Sequence, residues 1–200
     1  HGFLTKLDFV RAKALFAIEV EADMPILVKE ASTKLVNARH PLLLLSFKED
    51  KKTVVPLNLQ IHATLRVLLV SGPNAGGKSV CMKTVGLLQL MIQSGLLIPV
   101  HESSEVGIFD HIFADIGDDQ SIESDLSTYS AHLTKMRYFV AHATPKSLVL
   151  IDEFGTGTDP QFGGPMAEAV LEVLNNKKVR GVITTHYSNL KLFAGNTPGL

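Results

Sequence analysis

Between residues 65 and 94 the chain passes from an apolar run through a glycine-rich turn into a second apolar stretch, an order that few folds accept. Leu65-Arg66-Val67-Leu68-Leu69-Val70 reads as a buried strand, and Val80 to Ser94 reads as a helix. Between them Gly72-Pro73-Asn74-Ala75-Gly76-Gly77-Lys78-Ser79 spells G-x-x-x-x-G-K-S. In that context the motif is a phosphate-binding loop, whose successive backbone N–H groups turn inward as an anion nest backed by the positive end of the following helix. The glycines allow the backbone to approach the phosphates closely. Lys78 is expected to reach the β- and γ-phosphates, and the Ser79 hydroxyl to sit on Mg²⁺.

A second segment answers the first. Ser147-Leu148-Val149-Leu150-Ile151 is a continuous apolar run ending in Asp152 and Glu153. Such runs suit strands of a parallel sheet buried on both faces. Acids at the carboxyl end of such a strand fall on the edge where open α/β sheets bind ligands. Asp152 is expected to hold Mg²⁺ directly or through water, and Glu153 to act as general base on the attacking water. The bland alternative, two acids capping the next turn, does not account for the pairing with the phosphate loop.

Composition narrows the class. Two hundred residues, 46% hydrophobic and 20% charged, suit one α/β domain with a substantial core. The formal net charge of −1 offers no basic field for nucleic acid. A single cysteine, Cys81, excludes an internal disulfide and fits a reducing compartment. In the helix after the phosphate loop it reads as a packed thiol rather than a reactive one. No apolar run reaches the length of a membrane span, and no signal peptide opens the chain. A start at His1 and a stop at Leu200 suggest a piece of something longer.

The rest of the chain gives a coarse order of elements. A helix near residues 5–20 reads as the tail of an upstream helical region, followed by Pro25. Thr33 to Ala38 and Val54 to Ile61 read as strands, with Ser46 to Lys52 a charged loop between them. Gly95 is placed at C′ of the first long helix. Short strands near Val106–Ile108 and Ile112–Ile116 precede an acidic turn, Asp118-Asp119. Leu126, Tyr129, Leu133, Met136 and Val140 make one apolar stripe of a helix. Asp159-Pro160 reads as N-cap and N1 of another helix, running to about Asn175. Val179 to Thr185 is a last buried strand, ending at His186. The expected domain organisation is a helical tail over 1–25 and a C-terminally truncated nucleotide-hydrolase domain over 26–200.

Weaker sites remain open. His186, at a strand end, is placed to sense a γ-phosphate, although a lone strand-end histidine is more often an ordinary surface or core residue. Gly155-Thr156-Gly157-Thr158-Asp159 is either a plain turn or a loop lining the nucleotide or a partner subunit. Leu126-Ser127-Thr128-Tyr129-Ser130 opens the amphipathic helix as ordinary capping or as an anion site. The remaining histidines have no spacing suited to a zinc site.

These residues carry a resemblance. Ser71 to Ser79, with its Gly-Pro-Asn and Gly-Gly-Lys, resembles the phosphate loop of the MutS family. Ala38-Arg39-His40-Pro41 and Pro56-Leu57-Asn58-Leu59 look like segments upstream of it. Leu126 to Tyr129 is similar to the family's Ser-Thr-Phe signature, and Asp152 to Thr158 and Thr184-Thr185-His186-Tyr187 match two further motifs. The match covers about residues 35–190. Phe113 to Ile122 and Gly157 to Pro160 look like the second bacterial branch of the family. Its members lack the mismatch-reading domain, commonly carry a C-terminal Smr nuclease domain, and are associated with suppressing recombination and with collided ribosomes. Ser79-Val80 stands where repair-type members have Ser-Thr, and Ala75 where they have Met or Thr; neither departure removes a phosphate ligand.

The resemblance implies an α/β fold of the P-loop NTPase, ABC type, with a mostly parallel central sheet flanked by helices and a short N-terminal helical segment. It implies ATP and Mg²⁺ as ligands, with the loop from Gly72 to Val80 on the nucleotide. It implies a homodimer with composite sites, in which Ser127 acts on the partner's nucleotide in trans. It places Val54 and Val55 near the adenine, with His40 nearby. It further implies mismatch repair or recombination control, DNA or ribosome contact through regions outside this chain, no membrane, and a bacterial cytoplasmic or nucleoid-associated location. Two other classes stay in view. An ABC transporter ATPase would carry Leu-Ser-Gly-Gly-Gln where Leu126-Ser127-Thr128-Tyr129 stands. A non-catalytic nucleotide-binding module would be favoured by loss of Asp152 or Glu153, and both are present.

Overall fold

The computed structural model describes residues 2–73, 76–117, 125–156 and 158–200, without the side chains of 49, 50, 125–128 and 160. The chain divides into two compact units, 1–60 with 84–108, and 61–83 with 109–200.

In the first unit α1 spans Gly2–Glu19, followed by β1 (Ile26–Val28), β2 (Thr33–Ala38), α2 (Pro41–Asp50) and β3 (Leu57–Ile61). With β5 (Glu105–Gly107) these strands form a four-stranded sheet in the order β1-β5-β2-β3. It is mixed, because β5 runs parallel to β1 and antiparallel to β2. Gly107 is obligatory in this sheet: a Cβ there would lie 1.8 Å from the Glu30 carbonyl oxygen. The segment read as a charged loop, Ser46 to Lys52, belongs largely to α2. Pro41 starts that helix at a position where its missing N–H costs nothing, and Lys51 ends it in the left-handed region at φ 53°. Four consecutive leucines in α2 make no 3.6-residue stripe, so periodicity hid the helix.

In the second unit β4 (Val67–Ser71) leads through the glycine-rich loop into the start of α3 (Lys78–Gln93), whose residues from Thr84 on belong to the first unit. Then come β6 (His111–Asp115), α4 (Asp125–His142), β7 (Ser147–Ile151), α5 (Pro160–Asn176), β8 (Arg180–Thr185) and α6 (Ser188–Asn196). The sheet order is β4-β8-β7-β6, and every pairing is parallel, as βαβ crossovers require. The expected parallel sheet is therefore present. Every residue of β7 is buried, which explains its unbroken apolar run. Alternation sends Phe113, Val149, Ile151 and Ile183 into one core with Met136 and Phe139 of α4, Leu171 and Leu174 of α5, and Leu190 of α6. The Met136 and Val140 part of the predicted stripe packs into this core.

Local signals hold where they are strong. Asp159 caps α5 by accepting a hydrogen bond from the Gln161 N–H at 2.9 Å. Gly95 follows α3 at φ +73° and donates to the Ile92 carbonyl. Helix α6, in contrast, was not anticipated beyond the last strand. The register aligns Ser71 with Thr185, Ile151 with Ile183, and Asp115 with Ile151, so all four strands end on one edge.

Candidate functional site

That edge gathers the chemistry. Gly77 adopts φ +77°, a left-handed conformation that a side chain would oppose, and its carbonyl accepts from Cys81 as α3 begins. Gly76 donates to the Pro73 carbonyl at 3.0 Å, closing the near side of the loop. Asn74 and Ala75, both expected to touch phosphate, lie outside the described residues. Lys78, the first residue of α3, is only 5% exposed, an unusual burial for a cation. Its ammonium donates to the Gly72 carbonyl and lies 3.0 Å from His186 Nε2. His186 Nε2 in turn stands 3.7 Å from Glu153 Oε1. Three residues read separately from the sequence thus form one chain of contacts.

The two acids are fixed from both sides. Ser79 Oγ donates to Asp152 Oδ1 at 3.0 Å, joining the phosphate loop to the end of β7. The Thr184 hydroxyl reaches the same oxygen at 2.5 Å. Asp152 N–H donates to the Asp115 carbonyl at 2.9 Å. Glu153 follows at φ +49°, uncommon for a non-glycine residue and a place where backbone strain is held. Its N–H donates to Thr184 Oγ1 at 2.8 Å, and its carbonyl accepts from the Thr156 hydroxyl, also at 2.8 Å. Beyond it, Tyr187 OH donates to the Gly155 carbonyl at 2.9 Å. The Tyr187 ring fills the room left by Gly155 and Gly163. A Cβ at Gly155 would lie 2.6 Å from the ring, and one at Gly163 would lie 2.9 Å from its hydroxyl.

A second cluster was missed by sequence reasoning. Asp115, at the end of β6, has a carboxylate 1% exposed, 2.5 Å from His132 Nδ1 and 2.8 Å from the Lys135 ammonium, both on α4. The available signals were its strand-end position and its place in the Phe113 to Ile122 segment, which pointed to a branch of the family and not to a role for the residue. Thr184 was read only as part of a motif that pointed to His186. Asp115, Tyr129, His132, Asp152, Glu153 and Gly155 help line a small cavity between α4, α5 and the end of β7.

The other expected residues lie elsewhere or are not defined. Ser127 is in the first turn of α4, and its side chain is outside the described residues. Val80 is 42% exposed on the first turn of α3. Val54, Val55 and His40 belong to the first unit. There Val54 lines a groove with Glu21, Arg39, Lys48 and Lys52, Val55 is 85% exposed, and His40 is the N-cap residue of α2. Burial raises the Cys81 thiol pKa, in keeping with a packed thiol. Among the described residues no group of three or more His, Cys, Asp or Glu is arranged to hold a metal ion.

A glycine-rich loop with a buried lysine, a serine bonded to a strand-end aspartate and a parallel sheet aimed at them define a P-loop nucleotide-binding domain. The family model for MutS domain V matches residues 68–199, and the chain belongs to that family. It is 52% identical over 191 residues to the protein named Endonuclease MutS2 of Finegoldia magna, covering 96% of this chain and 24% of that protein. The same name is carried by relatives from Lactobacillus acidophilus, 47% identical over 98% of this chain, and Fusobacterium nucleatum, 45% identical over 97%. In both cases too the chain spans 24% of the relative's length.

Proposed function

We propose that this chain is the ATP-binding and ATP-hydrolysing part of a MutS-like DNA-processing protein. The observation that carries the reading is the convergence of Lys78 and Ser79 from one element with Asp152, Glu153 and His186 from two others. The residues present fit the ligands. A buried ammonium resting on a carbonyl and a histidine suits exchange onto the β- and γ-phosphates. Ser79 and Asp152, already in contact, would hold Mg²⁺, which neutralises charge developing on the phosphates. Glu153 would take the proton of the attacking water. His186, in contact with Lys78 and close to Glu153, would register whether a γ-phosphate is in place.

Further features rest on the family resemblance. The loop from Gly72 to Val80 would cradle the phosphates, with Val54 and Val55 near the base. Ser127 would complete the site of a partner subunit in a homodimer. Residues 1–25 would continue an upstream helical region. The relatives' name speaks of an endonuclease, and this chain would supply the nucleotide-driven step to such a protein in the cytoplasm, with DNA contacts made elsewhere. Membership of the MutS family removes the transporter reading. Among the described residues no helix is long and apolar enough to cross a membrane.

Glu153→Gln tests the chemical step, because the amide keeps the shape and loses the base. Turnover should fall roughly 10²–10⁴-fold while ATP still binds. Undiminished turnover in the variant would remove Glu153 from the mechanism.

A further inference from the structure

Thr184 is fully buried at the end of β8, where a β-branched strand residue would serve packing equally well as valine. Its hydroxyl is nonetheless fully used. It donates its one proton to Asp152 Oδ1 at 2.5 Å and accepts the Glu153 N–H at 2.8 Å. The Thr184 carbonyl accepts the Phe154 N–H, also at 2.8 Å. One residue therefore grips three consecutive positions leaving β7. Without it, the Glu153 N–H would lose its partner at the very residue held at φ +49°.

The next residue divides the labour. Successive side chains on a strand point to opposite faces. Thr185, also fully buried, gives its hydroxyl to the Phe154 carbonyl at 3.1 Å and accepts from the Tyr187 N–H at 3.1 Å. Thr185 secures the loop; Thr184 reaches the acids. Ser79 and Thr184 both approach Oδ1 of Asp152, so Oδ2 is the oxygen left to a cation or its water.

We propose that Thr184 is a positioning residue for both carboxylates, its single hydroxyl orienting Asp152 toward the metal and holding the left-handed turn that aims Glu153. The inference rests on reading Asp152 as the metal carboxylate and Glu153 as the base. It goes beyond that reading in assigning a role to a buried hydroxyl that touches neither substrate nor metal.

The test compares Thr184→Val and Thr184→Ser in the intact protein. Valine keeps the shape and loses both hydrogen bonds, whereas serine keeps both bonds and loses a methyl group. Thr184→Val should raise the Mg²⁺ concentration for half-maximal ATPase rate several-fold. It should also lower turnover about tenfold at saturating Mg²⁺, the scale of one charge-assisted hydrogen bond. Metal-free binding of an ATP analogue should stay within about twofold, because the phosphate loop is untouched. Thr184→Ser should restore both rate parameters to within about threefold. Hydrogen exchange at the Glu153 amide is a readout independent of turnover: protection should vanish in Thr184→Val and persist in Thr184→Ser. Thr184→Ala takes the place of valine if the latter does not fold. Wild-type Mg²⁺ dependence and amide protection in the hydroxyl-free variant would overturn the proposal, as would a serine variant as impaired as valine. Absence of ATP turnover in the wild type would instead overturn the proposed function, and the exchange comparison would still decide whether Thr184 holds the turn.

Discussion

Lys78 is the residue on which the site turns. A cation at 5% exposure is held by the carbonyl of Gly72 and the ring of His186, so its removal takes the donor from a buried carbonyl of the phosphate loop. Lys78→Ala should abolish tight ATP binding, and calorimetric titration showing normal affinity would contradict the phosphate-loop assignment. At this scale the sequence was most legible where chemistry fixes both residue type and spacing. Gly77, Lys78, Ser79, Asp152 and Glu153 could be placed because the loop motif and the acid-ended strand are each tied to a known context. Thr184 and Asp115 could not, because a threonine or aspartate at a strand end is common and its partner is remote in sequence. The hydroxyl of Thr184 meets a carboxylate 32 residues away, a distance that no local pattern encodes.

Among elements, α4 is held to the sheet by more than its apolar stripe. Asp115 grips it through His132 and Lys135, and the same residue's carbonyl receives the N–H of Asp152. Lys135 is 42% exposed, so water screens its share, and the His132 contact carries more weight. Asp115→Ala should lower stability by about 1–3 kcal/mol, the cost of losing a buried carboxylate that holds His132 and Lys135, measured by urea unfolding. A variant as stable as wild type would show that the stripe alone docks the helix. The cap of α5 is a smaller device. Asp159→Ala should cost about 1 kcal/mol in the same assay. Strands β2, β4 and β7 and helices α3, α4 and α5 were readable because apolar runs, periodic stripes and caps agreed. Helix α2 was obscured by its run of leucines and charged end. Short α6 offers only Leu190 as a fully buried anchor, too little pattern to read.

At the scale of the whole molecule, the proposal of composite sites separates this domain from a self-contained nucleotide-binding unit. A Ser127→Arg subunit would carry a spoiled signature and an intact phosphate loop; a Lys78→Ala subunit would carry the reverse. Each homodimer should be nearly inactive. Mixing them gives heterodimers in which one site collects both defects and the other none, so activity should return to at most about half of wild type per heterodimer, by the symmetry of an isologous pair. Intact proteins that exchange subunits yet remain inactive on mixing would exclude the role of Ser127 in trans.

The packing of Tyr187 into the space kept by Gly155 and Gly163 has an optical consequence. The chain has three tyrosines and no tryptophan, so its near-ultraviolet signal is tyrosine absorption uncontaminated by indole. Tyr138 is 56% exposed, whereas the Tyr187 ring is clamped against glycine backbone with its hydroxyl on the Gly155 carbonyl. Desolvation first, then the neighbouring Tyr129 and Asp159, push the Tyr187 phenol above its ordinary pKa of 10.0. A proton held more tightly in the folded state supports folding below that pH, and the support fades as the solution is made more alkaline. Ultraviolet difference titration should therefore resolve a late-ionising phenolate that disappears in Tyr187→Phe. Because that ring leans on the loop directly after Glu153, its circular dichroism gives a label-free readout of how that loop is packed.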